Sequence, residues 1–154
     1  MIRIERDPAF WTAVATHPAL GEGLLGLDPA EVGGIVRRPH VLPLAAEHGG
    51  FIFARLDPMG FVCELHTLFT PEGWGREALA AGIAAINAVW LVGFQLITTF
   101  EVRDNPRSRP PRSFGFTLAG DWRDGPYGAL RLWSLGREAW TQSPGMRRRA
   151  CLLQ

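Results

Sequence analysis

Between Phe61 and Trp90 the sequence passes from an alternating run, through a Pro/Gly turn, into a long apolar stretch. The run Phe61–Phe69 reads as a strand, the Pro/Gly residues after Thr70 as a tight turn, and a helix as running from Trp74 or Gly75 to about Trp90. A strand feeding a glycine turn that opens a helix leaves several backbone N–H groups pointing out of the helix start. Those unpaired donors and the positive end of the helix dipole can seat a phosphate. The same residues also suit a strand-to-helix turn that binds nothing, so the rest of the chain has to decide.

The elements around it follow from period and punctuation. Ile2–Glu5 alternates as a short strand, and Asp7-Pro8 is a helix start, with an Asp N-cap and Pro at the first helical position. The helix Pro8–Thr16 is expected to turn Phe10, Val14 and Trp11 toward the core, and His17-Pro18 to end it. A loop carrying Gly21, Gly23 and Gly26 then leads to a second start at Asp28-Pro29, whose helix reaches about Arg37. Val41–Ala45, Gly50–Leu56 and Phe61–Phe69 read as an antiparallel meander, with Asp57-Pro-Met-Gly60 as a turn.

After the helix, Phe94–Val102 returns as a strand expected to lie parallel to Phe61–Phe69 through a right-handed crossover. Asp104–Ser113 is polar and holds Pro110-Pro111. Phe114–Phe116 opens another strand, Arg123–Pro126 turns, Tyr127–Trp133 is the last strand and Leu135–Thr141 a closing helix. The order β-α-α-β-β-β-α-β-(α)-β-β predicts an α+β, three-layer fold with a mixed central sheet of six to seven strands. One domain over residues 1–141 is expected, with 142–154 as a flexible tail.

At 154 residues the chain can bury about two-thirds of its unfolded surface without disulfides or metal. Its net charge of +1 gives no global electrostatic case for nucleic acid or an acidic membrane. All 16 basic residues are Arg, which excludes a lysine nucleophile or Schiff base. Cys63 and Cys151 are too few for a disulfide framework, and with no signal-like N-terminus a cytoplasmic setting is expected. Ala78–Phe100 carries no charge, but Gly93 breaks it and Asn87 and Gln95 lie inside it. It therefore reads as buried helix plus buried strand rather than a membrane span. The run Arg147–Arg149 reads as a solvated terminus.

Several motifs in order resemble one family. Pro71-Glu-Gly-Trp-Gly-Arg76 matches a Pro-x-x-Trp-Gly-(Lys/Arg)-Gly turn, and Asn105-Pro-Arg-Ser108 an Asn-x-x-Ser. Gly115-Phe-Thr-Leu-Ala-Gly120 matches Gly-Phe-x-x-x-Gly, and Trp133–Trp140 an aromatic strand followed by Arg-Glu-x-Trp. Over residues 1–141 the chain resembles the GNAT superfamily of N-acetyltransferases, and within it the RimJ/RimL-type branch that acetylates ribosomal-protein N-termini.

That resemblance implies acetyl-CoA as co-substrate, with the strand end near Leu68 and Phe69 holding the cofactor arm through backbone groups. The N–H groups of Trp74, Gly75, Arg76, Glu77 and Ala78 would take the pyrophosphate, with Arg76 adding charge. Asn105 would hold the pantetheine arm, and the Ser108 hydroxyl would donate to the leaving sulfur. It implies a primary amine as acceptor, on a small molecule or a protein N-terminus, and leaves a homodimer open.

Two positions depart from the pattern. Glu77 stands where the family has a second glycine, and is repulsive beside a pyrophosphate unless it points away or pairs with Arg76. Pro110-Pro111 replaces a helix that often carries an acid Tyr.

The residues also speak for themselves. Glu64, His66 and Leu68 alternate onto one strand face, so Glu64 and His66 sit roughly 6.5–7 Å apart along the strand. Either can take a proton from an amine, directly or through water, and either can belong to a packing pair. Cys63 and His66 face opposite ways, which removes them as a metal pair, and no metal is expected. Asn105-Pro106 also suits a self-bonded turn. Arg103, Arg107, Arg109 and Arg112 around that turn are open to a 3′-phosphate, an acidic substrate or solvent. Trp11, Trp90, Trp122, Trp133 and Trp140 are assigned to core or dimer surface rather than to a substrate cage. Tyr127 receives no role.

Overall fold

The computed structural model describes residues 1–24, 27–103, 105, 108–125, 128–144 and 146. Seven strands form one mixed sheet: β1 (Arg3–Ile4), β2 (Val41–Ala45), β3 (Gly49–Arg55), β4 (Val62–Phe69), β5 (Leu96–Val102), β6 (Thr117–Gly125) and β7 (Gly128–Gly136). Four α-helices accompany it: α1 (Pro8–Ala15), α2 (Pro29–Ile35), α3 (Arg76–Val92) and α4 (Arg137–Thr141). The spatial order is β1-β2-β3-β4-β5-β7-β6, antiparallel everywhere except the β4–β5 pair. The α+β expectation and the parallel crossover both hold.

The two Asp-Pro starts behave as local chemistry predicts. The Asp7 carboxylate accepts from the Ala9 N–H at 2.9 Å, and Asp28 from Ala30 at 2.8 Å. Glu31 reaches back to the Asp28 N–H at 3.0 Å, completing a capping box. Asp57 accepts from Val62 and Phe61, which fixes the β3–β4 turn and holds its carboxyl below the usual range.

Each sheet face carries its own core. On one face α3 and α4 cover Phe51, Phe53, Cys63, Leu65, Phe69, Ile97 and Leu135. On the other, α1 and α2 cover Val41, Ala45, Ile52 and Leu68. Trp11, fully buried, anchors the second core, and Phe10, partly exposed, packs against it as expected. Cys63 lies at the centre of the first, where burial pushes its thiol up to about 12.

Several expectations change. Leu135, expected to open the closing helix, lies in β7, and α4 starts only at Arg137. The stretch expected as a glycine loop contains a 3-10 helix, Pro18–Leu24, which buries Leu20 and Leu24 against α1 and α2. Phe114 belongs to a 3-10 turn, Arg112–Phe114, and its ring packs edge-on to Trp140, so β6 begins only at Thr117. Packing also continues past Thr141, because Ser143 is buried and Met146 lies on the first core. The expectations for Gly26, Arg107, Tyr127, Arg147–Arg149 and Cys151 lie outside the described residues. Among the described residues no helix is long and apolar enough to cross a membrane.

Candidate active site

The parallel β4–β5 ladder runs only from Val62↔Leu96 to Glu64↔Thr98. Beyond it the strands part, and side-chain hydroxyls take over from the backbone. Thr98 donates to the Cys63 carbonyl at 3.3 Å and Thr99 to the Leu65 carbonyl at 2.9 Å.

β4 stays fully paired with β3 through Phe69. Its even-numbered residues turn their N–H and C=O toward β3, as the Val62 carbonyl does to Leu56 and the Thr70 N–H to His48. The groups left facing the gap therefore belong to Thr67 and Phe69. Of the two residues expected there, Leu68 and Phe69, only Phe69 turns its backbone to the gap, since the Leu68 backbone faces β3 and its side chain fills the second core.

α3 starts beside the end of β4. Its N-cap, Gly75, has φ +83°, a conformation side chains resist, and a Cβ there would meet only open space. No side chain caps the helix. The first intrahelical bond is Leu79 N–H to the Gly75 carbonyl at 2.9 Å, so the N–H groups of Arg76, Glu77 and Ala78 stand ahead of the ladder. Trp74 is set apart from this group: its N–H bonds to Pro71, and its indole donates to the Phe69 carbonyl at 2.8 Å. An uncapped, dipole-positive turn with open space at a glycine fits an anion such as a pyrophosphate. Arg76 is exposed and makes no ion pair among the described residues.

Glu77 resolves its own difficulty. One carboxylate oxygen accepts from the N–H groups of Glu47 (3.1 Å) and His48 (3.0 Å), and the other meets the His48 Nδ1 at 2.8 Å. The side chain thus faces the β2–β3 turn, not Arg76. The hydrogen bond to His48 holds the Glu77 carboxyl down, and the same bond raises the His48 imidazole. An open cavity of about 550 Å³, edged by Met1, Ile2, Ala46, Glu47, Glu77 and Ala81, lies beside this clasp on the α3 face. None of the β4–β5 gap residues lines it.

On the opposite face, Glu64 and His66 sit together as their alternation requires, with Oε1 and Nε2 2.9 Å apart. Their side chains keep 21% and 45% of their exposure, so this is an accessible pair and not a sealed packing contact. With Nε2–H donated to Glu64, the imidazole Nδ1 is left as an acceptor.

Across the gap the Asn105 N–H bonds to Val102, and the Ser108 N–H to Asn105. The Ser108 hydroxyl lies 2.8 Å from the Asn105 carbonyl and 3.1 Å from that of Val102. It fastens the turn, and reaches a leaving group only by rotating about χ1.

Sequence reasoning missed the buried Glu101. Its carboxylate takes the Trp133 indole N–H at 2.7 Å and Arg131 at 3.5 Å, beneath a Trp133 ring that Arg109 overlies. The i-to-opposite register of β5 and β7 (Glu101↔Arg131, Thr99↔Trp133) is the signal that finds it. Among the described residues no three His, Cys, Asp or Glu side chains converge as metal ligands.

No protein-family model and no curated protein matches the chain, but solved structures do. A spermidine N-acetyltransferase from Vibrio cholerae superposes with a TM-score of 0.72 at 12% identity, covering 91% of this chain and 95% of that one. An N-acetyltransferase from Staphylococcus aureus gives 0.71 at 16%, covering 88% and 97%. A Salmonella typhimurium protein assigned as an acetyltransferase, solved with its cofactor acetyl-CoA, gives 0.68 at 16%, covering 88% and 92%. At such identities the likeness is one of fold: the mixed sheet and its helices are those of the GNAT acetyltransferases.

Proposed function

We propose that this chain, built on the GNAT acetyltransferase fold, moves an acetyl group from acetyl-CoA to a primary amine on a small molecule or a protein N-terminus. The observation that carries the reading is the parting of β4 from β5 directly beside the uncapped start of α3. Together they offer a slot with free backbone donors and, at its mouth, a seat for phosphates. The motifs shared with the RimJ/RimL-type branch, Trp74-Gly75-Arg76 and Asn105 to Ser108 among them, support the same reading.

Acetyl-CoA would supply the acetyl group as a thioester. The N–H groups of Gly75 to Ala78, with Arg76, would hold its pyrophosphate, and the gap-facing groups of Thr67 and Phe69 its arm, alongside Asn105. A Thr67 or Phe69 N–H directed at the carbonyl oxygen would stabilise charge developing there. From the other face, His66 Nδ1 takes the amine proton while Glu64 holds Nε2–H and stabilises the imidazolium. Ser108 assists the departing sulfur after its hydroxyl leaves the Asn105 carbonyl. A reducing cytoplasmic setting belongs to the reading, in keeping with the free thiol of Cys63.

The test is release of free thiol from acetyl-CoA with a panel of primary amines. Turnover is expected, and His66→Ala and Glu64→Gln should each lower kcat by about 10²-fold or more if they form the proton-accepting pair. One specific observation favours a second reading, a binding protein on the same fold: the Ser108 hydroxyl is committed to backbone carbonyls. A chain that binds coenzyme A yet releases no thiol with any amine would establish that alternative.

A further inference from the structure

The sheet face that carries Glu64 and His66 does not end at β4. The second core, formed by α1 and α2, has no member on β5, β6 or β7 among the described residues, so it ends at β4. In register the face beyond β4 is continuous with the polar pair, because Glu64 pairs with Thr98, Thr98 with Ser134 and Ser134 with Thr117. Two residues further along, Phe100 lies across the gap from His66, beside Leu132 and Gly120.

Next on β6 comes Trp122. A Cβ at Gly120 would lie 2.6 Å from the Trp122 ring, so the missing side chain is what lets the indole lie flat over the sheet. The ring leans to within 6.4 Å of Phe100, tilted by 49°, and Trp122 nevertheless stays 48% exposed. An aromatic surface has been fixed in place and left uncovered.

Its charge is as telling as its shape. From Leu96 to Val102, Leu130 to Ser134 and Thr117 to Trp122, no side chain on this face is ionisable. The nearby acids Glu101 and Asp121 point to the other face, where Arg131 and Arg103 take them. The face therefore presents one carboxylate–imidazole pair at its inner end and an apolar, aromatic bed beyond it.

We propose, building on the acetyl-transfer reading, that the acceptor is a monoamine carrying an apolar, ring-bearing body. Its single amine meets His66 and Glu64 and its ring lies on Phe100 and Trp122. A polyamine would find one carboxylate for several charges and would have to lay its remaining cations on an apolar surface. Ring stacking and buried apolar area favour the aromatic body instead.

The experiment uses the full chain with acetyl-CoA and compares thiol release for tryptamine, spermidine, ethylamine and a short peptide with a free N-terminus. The expected kcat/KM for tryptamine exceeds that for spermidine and ethylamine by about tenfold or more, the scale at which small apolar pocket contacts discriminate. Trp122→Ala should lower the tryptamine-to-ethylamine ratio by about tenfold, mainly through KM, and Trp122→Phe should restore most of it. Preference for spermidine or the peptide overturns the proposal. So does a Trp122→Ala variant with an unchanged ratio, or one that only turns a dimer into a monomer in sedimentation.

If no amine releases thiol, the acetyl-transfer reading fails by itself. Calorimetric titration with tryptamine then decides the surface: binding that Trp122→Ala removes sustains it, and no binding overturns it.

Discussion

At the residue scale, the pair with the most direct consequence for stability is His48 and Glu77. The hydrogen bond raises His48 above its ordinary 6.5 and lowers Glu77 below its ordinary 4.5. The His48 contribution is fully present below about pH 6.5 and is lost as pH rises through its raised folded value. The Glu77 contribution is present above about pH 4.5 and is lost as pH falls through its lowered one. Both act together between roughly pH 4.5 and 6.5. A His48→Gln variant should therefore show its largest drop in Tm in that window, with the deficit shrinking toward alkaline pH, as read by thermal melts across a buffer series. A deficit that grows with pH would contradict the assignment.

The clasp also marks a limit of reading residues in sequence. Glu77 stood out as a misfit in a glycine position, and its first-turn location was legible. Its partners were not, because Glu47 and His48 lie about 30 residues away on a turn that only the β2–β3 register brings to α3. Glu64 and His66 were legible for the opposite reason, since two residues on one strand share a face whatever the rest of the chain does.

At the element scale, what could be read were elements with local grammar: the capped starts of α1 and α2, the Asp57 turn and the Gly75 turn before α3. What could not be read were close approaches. A Cβ at Gly33 would meet the Thr12 Oγ1 at 2.5 Å and the Pro8 carbonyl at 3.0 Å, so α2 lies against α1 at a distance only glycine permits. Gly33→Val should push the helices apart and cost about 1–3 kcal/mol, measured by denaturant unfolding. The 3-10 segment Pro18–Leu24 escaped notice because its glycines read as loop, while burial of Leu20 and Leu24 is set by helices distant in sequence.

The parting of β4 from β5 also belongs to this scale. Thr99 stands at its start, buried to 8% exposure, and satisfies the Leu65 carbonyl that the ladder no longer reaches. Thr99→Val keeps the shape and leaves that carbonyl unpaired, so a loss of about 1–2 kcal/mol in unfolding is expected. A neutral result would mean that the gap takes in water there and that the hydroxyl contributes nothing to its shape.

For the whole molecule, the proposed reading gives each sheet face one task. On one face the uncapped start of α3 would take an anion beside the gap; on the other the Glu64–His66 pair opens onto the Phe100–Trp122 surface. The gap between β4 and β5 is where a thioester held from one side and an amine held from the other would meet. This division follows from the element order, so it was legible in outline once the crossover after α3 was recognised. The apolar half-face was not, because Trp122 on an edge strand looks in sequence like any other core aromatic.

Acetyl transfer by this chain requires that the slot take coenzyme A. The direct measurement is the thermal melt of the full chain titrated with coenzyme A. A ligand at a hundredfold its Kd stabilises by about 2.7 kcal/mol, which in a chain of this size raises Tm by about 5–10 °C. The predicted result is a saturable rise of that order. An unchanged Tm at millimolar coenzyme A would contradict the proposed cofactor slot.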